Sequence, residues 1–191
     1  MGGKIQEAHG VCLALPGWAS ANLLRPIDPG LADLLDSLPY GDAATVSFGF
    51  RRDQVGHPLD GMGFVVPKSE GLSLLSCSFS STKFPGRAPE GTVLVRAFAG
   101  GAPDPERLLS ELRGILGIHG DPLLVHAAWH PRSLAQYPVG HLENLRRIEE
   151  HLRGLPGLAL AGSCLRGVGI PDVIASGEAA ASALAGRLQG G

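Results

Sequence analysis

Long apolar runs, paired cysteines, metal-ligand spacing and blocks of like charge are all missing from this sequence. Its longest apolar stretches fall far short of the roughly 18 residues that a membrane helix needs, which leaves only peripheral membrane contact open. The three cysteines, Cys12, Cys77 and Cys164, are odd in number and widely spaced, with no C-x-x-C. That pattern offers neither a zinc motif nor a disulfide framework, and it suits a reducing cytoplasm. The opening Met-Gly-Gly-Lys-Ile-Gln-Glu has no apolar core of the kind a secretory signal carries, so it is not expected to be one. With 16 basic residues against 18 acidic ones, a net charge of −2 and no basic block, nucleic acid is not an expected partner. His126 and His130 would share a strand face, but four strand residues span roughly 13 Å, too far for one ion, and the other histidines show no ligand spacing. Ser163 stands in Ala-Gly-Ser-Cys-Leu rather than G-x-S-x-G, which removes the hydrolase elbow. There is also no G-x-G-x-x-G.

What is present is the composition of a globular chain. Hydrophobic residues make up 44% and charged residues 18% of 191, enough for one good core or two small ones. The 28 glycines and 15 prolines are spread along the chain and read as turns. Residues 10–15 form a short apolar run ending at Pro16, which predicts a strand buried on both faces. Residues 31–38 have helical spacing, with Leu31, Leu34, Leu35 and Leu38 on one side. From 43 to 99 the period changes to two: Val46, Phe48 and Phe50 alternate with small or polar residues, and further strands follow at 62–66, 72–79 and 92–99. An antiparallel sheet is expected there. Asp104-Pro105 opens a helix with Leu108, Leu109, Leu112, Ile115 and Leu116 on its apolar face. Then come a strand at 123–129 with Leu123, Val125, Ala127 and Trp129 on one face, and a helix at 141–153 with Leu142, Leu145, Ile148 and Leu152 inward. A buried strand at 158–161 and a final helix at about 171–188, with Gly177, Ala181, Leu184 and Leu188 on one face, complete the chain. Two strands of the parallel, buried type that lie roughly 140 residues apart suggest one domain inserted into another.

Three segments carry the chemistry. Gly167-Val168-Gly169-Ile170-Pro171-Asp172 joins a strand to a helix, with free backbone N–H groups and the positive helix end at one spot, suited to an anion. Glycines there let a planar ring approach the backbone. The same residues equally make an ordinary strand-turn-helix. Leu59 to Glu70, followed by Ser78 to Pro89, reads as a hairpin and a loop. Trp129 to His141 places two aromatics and two histidines in a loop after a strand, which can line a pocket for a flat ligand or simply pack.

Taken together and in this order, Gly-Phe-Val-Val-Pro-Lys-Ser-Glu (63–70), Lys-Phe-Pro-Gly-Arg-Ala-Pro (83–89), Gln-Tyr-Pro-Val-Gly-His (136–141) and the run 158–172 resemble the protoporphyrinogen oxidases of the flavin amine oxidase superfamily. The resemblance covers the chain from about Val11 onward and matches the C-terminal portion of such a protein. It implies a mixed α+β and α/β fold: an antiparallel or mixed substrate-domain sheet with helices, and C-terminal remnants of a Rossmann-type FAD domain. The implied division is 1–40 for an FAD-domain strand and connecting helix, 41–156 for the substrate-domain region, and 157–191 for the last FAD-domain strand and helix.

The implied reaction is oxidation of a porphyrinogen to a porphyrin with oxygen as acceptor, a step of haem biosynthesis. The cofactor is FAD, which this chain is not expected to hold by itself. The implied FAD contacts are Val11 at the adenosine part, Trp129 beside the flavin, Gly162 towards the ribityl chain, and the backbone of Val168, Gly169 and Ile170 at the pyrimidine end. No side chain is implied as a catalytic base. Gln-Tyr-x-x-Gly-His favours a porphyrinogen over an amine or carotenoid substrate. A non-catalytic binding module with the same fold is the alternative. Strands left without sheet neighbours would favour self-association or pairing with the missing N-terminal half.

Overall fold

The computed structural model describes residues 4–189, and side chains as far as residue 186; Leu188, expected on the inner face of the last helix, lies outside the described side chains. The elements in chain order are β1 (Val11–Leu13), α1 (Gly17–Leu24), α2 (Pro29–Asp36), β2 (Tyr40–Arg51), β3 (Gly63–Val65), β4 (Leu74–Ser78), α3 (Ser80–Lys83), β5 (Thr92–Ala99), α4 (Pro105–Leu116), β6 (Leu124–Ala135), α5 (His141–Arg153), β7 (Leu158–Leu160) and α6 (Ile170–Gln189). They form two compact units. One comprises Gly41–Leu134; the other is built from the chain up to Tyr40 and from Ala135 onward.

The Gly41–Leu134 unit is a five-stranded sheet in the order β3-β4-β5-β2-β6. The pairs β3–β4, β4–β5 and β2–β5 run antiparallel, with Phe48 opposite Val95 and Phe50 opposite Val93. The two-residue period does what it predicts: Ala44, Val46, Phe48 and Phe50 turn inward from β2, and Val93, Val95, Ala97 and Ala99 from β5. The helix α4 closes that face with Leu108, Leu112 and Leu116, each worth about 1.5–3 kcal/mol on burial. Its start follows the sequence rule. The Asp104 carboxylate accepts from the Arg107 N–H at 3.0 Å, Pro105 takes the first turn, and left-handed Gly117 (φ 60°) ends the helix. The apolar stripe is narrower than expected. Ile115 is exposed, because an i, i+4 row of leucines already fills the contact with the sheet.

β6 departs further from expectation. It continues through Pro131 to Ala135, and nearly every residue on it is exposed. An edge strand tolerates a proline because one side of its backbone has no partner to lose.

In the other unit β1 and β7 pair in parallel, Val11 opposite Leu158 and Leu13 opposite Leu160. The two strands expected to lack neighbours are therefore each other's neighbour. The expectation that the 10–15 run is buried on both faces is not met: Val11 is 48% exposed and Cys12 is exposed. Apolar composition buries a strand only where layers cover it, and this sheet has two strands among the described residues. Leu13, Leu158 and Leu160 join the core formed by α1, α2 and α5, and Ala159 and Ala161 meet α6 at Ala180 and partly buried Leu184. The inner face of α6 thus passes through Ala180 rather than Ala181.

α5 packs here too, through Leu145 and Ile148 against the α2 leucines, while Leu142 points outward at 66% exposure. The expected border after residue 156 therefore differs from the observed division at Ala135. α2 is capped by Asp28, which accepts from the Leu31 N–H at 3.0 Å and also meets His151 Nδ1 at 2.7 Å. α1 was not foreseen. It has no capping side chain and buries only Gly17, Ser20, Ala21 and Leu24, a faint pattern.

Glu111 ties α4 to the start of β4. Burial pushes its carboxyl up, but the N–H groups of Ser73 and Leu74 (3.0 and 2.8 Å) and Arg107 (3.2 Å) outweigh this, and the net shift is downward. A lowered folded-state pKa contributes stability above the unfolded value and loses it as pH falls through the folded one. Glu111→Gln should lower the urea midpoint at pH 7, and the gap should close below about pH 4, under the ordinary glutamate value. A gap independent of pH would contradict this.

Candidate functional site

The run from Gly162 to Asp172 is a glycine turn locked from two sides. Gly162 has φ +127° and donates its N–H to Ser176 Oγ at 3.0 Å. Gly167 has φ +154°, and a Cβ placed on it would lie 2.4 Å from the Asp172 side chain, so both backbone and space require glycine. The second lock comes from Gln-Tyr-Pro-Val-Gly-His. Tyr137 donates its hydroxyl to the Ser163 carbonyl at 2.6 Å and accepts the Gly167 N–H at 2.8 Å, bridging both limbs of the turn. Its ring stacks on His141 with centroids 4.0 Å apart and planes 10° off parallel. Buried His141 places Nε2 at 2.7 Å from the Leu165 carbonyl. A carbonyl only accepts, so Nε2 carries the proton. Nδ1 is buried and has no partner among the described residues. Burial pushes the Tyr137 phenol up despite the Gly167 N–H, so it stays a donor at neutral pH.

Cys164 anchors the middle of the turn. It is buried among the α1 and α2 leucines, and desolvation pushes its thiol up. Tyr40, whose hydroxyl accepts the Gly17 N–H at 2.7 Å, lies against it; burial drives that phenol to about 12. Neither group is poised for nucleophilic work.

At the end of the turn α6 begins, with the Gly169 carbonyl accepting from the Val173 N–H at 3.0 Å. The N–H groups of Val168, Gly169 and Ile170 find no acceptor among the described residues. The side chains of Val168 and Ile170 are 62% and 78% exposed. Asp172 already lends the helix end a negative charge. What remains for a ligand is a row of N–H donors framed by apolar side chains, which fits the polar edge of a flat, partly anionic ring. Beside the turn, α5, β7 and α6 enclose a cavity of about 350 Å³ with an apolar floor that includes Ile148, Leu160 and Ala179, and an Arg166–Glu149 ion pair on its rim.

Of the six residues singled out in the sequence, Gly162, Val168, Gly169 and Ile170 come together in this turn. Val11 sits on β1 in the same unit, but its N–H is taken by the Gly157 carbonyl at 2.8 Å. Trp129 is 52% exposed on β6 of the other unit. The sequence presents Tyr137 and His141 as pocket lining or plain packing; an aromatic and a histidine four residues apart, before a strand-turn-helix, is the signal of the clamp. The described residues hold no cluster of three metal-ligating side chains. They also contain no helix long and apolar enough to cross a membrane.

The sequence pattern described as "Flavin containing amine oxidoreductase" matches residues 2–185. The chain belongs to this family. It is 31% identical to the coproporphyrinogen III oxidase of Bacillus subtilis (strain 168), over 94% of this chain and 40% of that protein. It is 30% identical to the chloroplastic protoporphyrinogen oxidase of Nicotiana tabacum, over 95% of this chain and 37% of that one. A crystal structure from Exiguobacterium sp. 255-15, provisionally named protoporphyrinogen oxidase, superposes with a TM-score of 0.76 at 30% identity, over 94% of this chain and 41% of the other. Reduced UDP-galactopyranose mutase shares the fold, with a TM-score of 0.67 at 12% identity. The chain thus spans about 40% of the length of the relatives it matches. The mixed fold, with its parallel and antiparallel sheets, is that of flavin oxidoreductases.

The clamp has a testable consequence. Tyr137→Phe keeps the ring stack and removes one hydroxyl that serves two backbone groups. It should cost about 1–3 kcal/mol and speed hydrogen exchange at the Gly167 amide. Unchanged exchange there would show that the bridge does not hold the turn.

Proposed function

We propose that this chain is the C-terminal portion of an FAD-dependent porphyrinogen oxidase, inactive until it meets the segment that holds the rest of the cofactor. The reading rests on the clamped 162–167 turn, which presents three unpaired N–H groups at the start of α6 within a flavin family. In this reading the unit containing β1, β7 and α6 is the C-terminal remnant of the FAD domain, and the Gly41–Leu134 sheet is the substrate domain. FAD, held in part by the backbone at Val168, Gly169 and Ile170, would supply the hydride-accepting chemistry for a porphyrinogen methylene, with oxygen as the final acceptor.

This chain's residues supply position rather than proton transfer. The N–H groups of Val168, Gly169 and Ile170 address the pyrimidine edge of the ring, and Gly162 leaves room for the ribityl chain. Tyr137 and His141 keep those amides in place. Trp129, on the other unit, keeps the role that the resemblance implies, an aromatic beside the flavin. Val11 contributes its side chain and neighbourhood at the adenosine end, since its N–H is already engaged. Burial raises both the Tyr137 phenol and the Cys164 thiol, so these two groups of the turn keep their protons at neutral pH, which suits hydride transfer governed by geometry. We place the chain in the cytoplasm, with peripheral membrane contact and self-association through the open edges of β1 and β7.

The names of the relatives favour a porphyrinogen over an amine or carotenoid substrate. The two-strand parallel sheet, with Val11 exposed at 48%, supports the second reading, a non-catalytic module that docks onto a partner.

Purified alone, the chain should be colourless and should show no saturable quenching of FAD fluorescence at micromolar protein. A yellow preparation with flavin near 1:1 would overturn the view that it needs a partner to hold the cofactor.

A further inference from the structure

Six arginines, Arg25, Arg51, Arg107, Arg113, Arg146 and Arg166, each meet a carboxylate. Among the described residues some other cations of the Gly41–Leu134 unit do not, and three of these gather in one place. Lys83, Arg87 and Arg96 converge on a pocket of about 220 Å³ and, among the described residues, none has an ion-pair partner. Lys83 Nζ lies 5.5 Å and Arg87 Cζ 5.4 Å from the centroid of Phe84, so one aromatic ring organises both.

Arg96 projects from the outer face of β5. Its cross-strand neighbours are Ser47 on β2 and Ser78 on β4, and no acid stands opposite it. Its Nε donates to Ser47 Oγ at 3.2 Å, which orients the guanidinium and leaves the two terminal nitrogens for another acceptor. Phe98 lines the pocket's apolar side. Along the same sheet Met62, Val65 and Leu75 are exposed at 65%, 80% and 43%, an apolar bed next to the cationic end.

Like charges gather without counter-ions at a cost that an anionic ligand removes. Planar guanidinium groups match carboxylates two bonds at a time. An apolar bed ending in three cations fits a flat, ring-shaped molecule with carboxylate arms.

We propose that Lys83, Arg87 and Arg96 form a carboxylate-binding pocket that takes an acidic side arm of a flat macrocyclic ligand lying on the outer face of the sheet. The site rests on the porphyrinogen reading for the identity of the ring, and on the cation cluster alone for the carboxylate. It binds the substrate's rim and plays no part in hydride transfer.

The test is a fluorescence titration of the whole chain with coproporphyrin III and with its tetramethyl ester in mild detergent. A second arm follows backbone amides by NMR during addition of benzene-1,3,5-tricarboxylate or inorganic pyrophosphate. The acid should bind at least ten-fold more tightly than the ester. Lys83→Gln/Arg87→Gln and Arg96→Gln, each checked for unchanged circular dichroism, should erase that preference and leave the ester's affinity alone. Tricarboxylate should shift amides around residues 83–87 and 96 more strongly than pyrophosphate.

Equal binding of acid and ester, or a preference that survives both variants, would overturn the carboxylate pocket while leaving the porphyrin reading intact. Amide shifts with tricarboxylate but no porphyrin binding would support the pocket and count against the porphyrin. Stronger shifts with pyrophosphate would overturn the carboxylate assignment in favour of phosphate.

Discussion

The bridge made by the Tyr137 hydroxyl is the contact on which the candidate site depends. One oxygen donates to Ser163 and accepts from Gly167, closing a turn whose glycines have φ values that other residues rarely adopt. Without it the turn would be held by the Gly162–Ser176 hydrogen bond and by the burial of Cys164. His141 stiffens the bridge twice over, by stacking on the tyrosine ring and by hydrogen bonding to Leu165. The unpartnered Nδ1 is the cost of that arrangement.

The clamp explains why a segment that reads as pocket lining is joined in sequence to a helix. Gly140 ends the loop in a left-handed conformation, and α5 starts at His141, so the clamping histidine is also the first residue of the helix that floors the unit. Position flows from the α2–α5 leucine core, through His141 and Tyr137, to the turn, and from the turn to the exposed amides at the start of α6. A ring held there would be located by packed leucines and not by any residue it touches.

Much of the fold was legible in the sequence because its periods are strong. Phe48 and Phe50 on alternate positions, the Asp104-Pro105 start and the 141–153 helix all fall where local rules put them. The failures share a cause. The burial of Val11, Leu142 and Ile115 depends on what packs against each element, and a local pattern cannot say which layer is present. The parallel pairing of β1 with β7 joins residues 147 positions apart, beyond any local signal. In the site, the glycine turn was readable from composition and spacing. The Tyr137–His141 clamp was not, because stacking and a bridging hydroxyl need coordinates. The cation pocket was hidden for the same reason: Lys83 and Arg87 are neighbours in sequence, but Arg96 joins them only through the β4–β5 register.

The central claim is that the start of α6 receives the anionic edge of the flavin. It is tested most directly by grafting this chain in place of the matching segment of the Bacillus subtilis relative and measuring FAD content and affinity with Val168 or with Val168→Asp. Val168 is exposed, so the substitution leaves the core untouched, and an acid near a helix start does not weaken the helix. The account predicts FAD near 1:1 in the parent graft and at least ten-fold weaker binding in the variant at unchanged thermal stability. Equal FAD affinity in the two would contradict it.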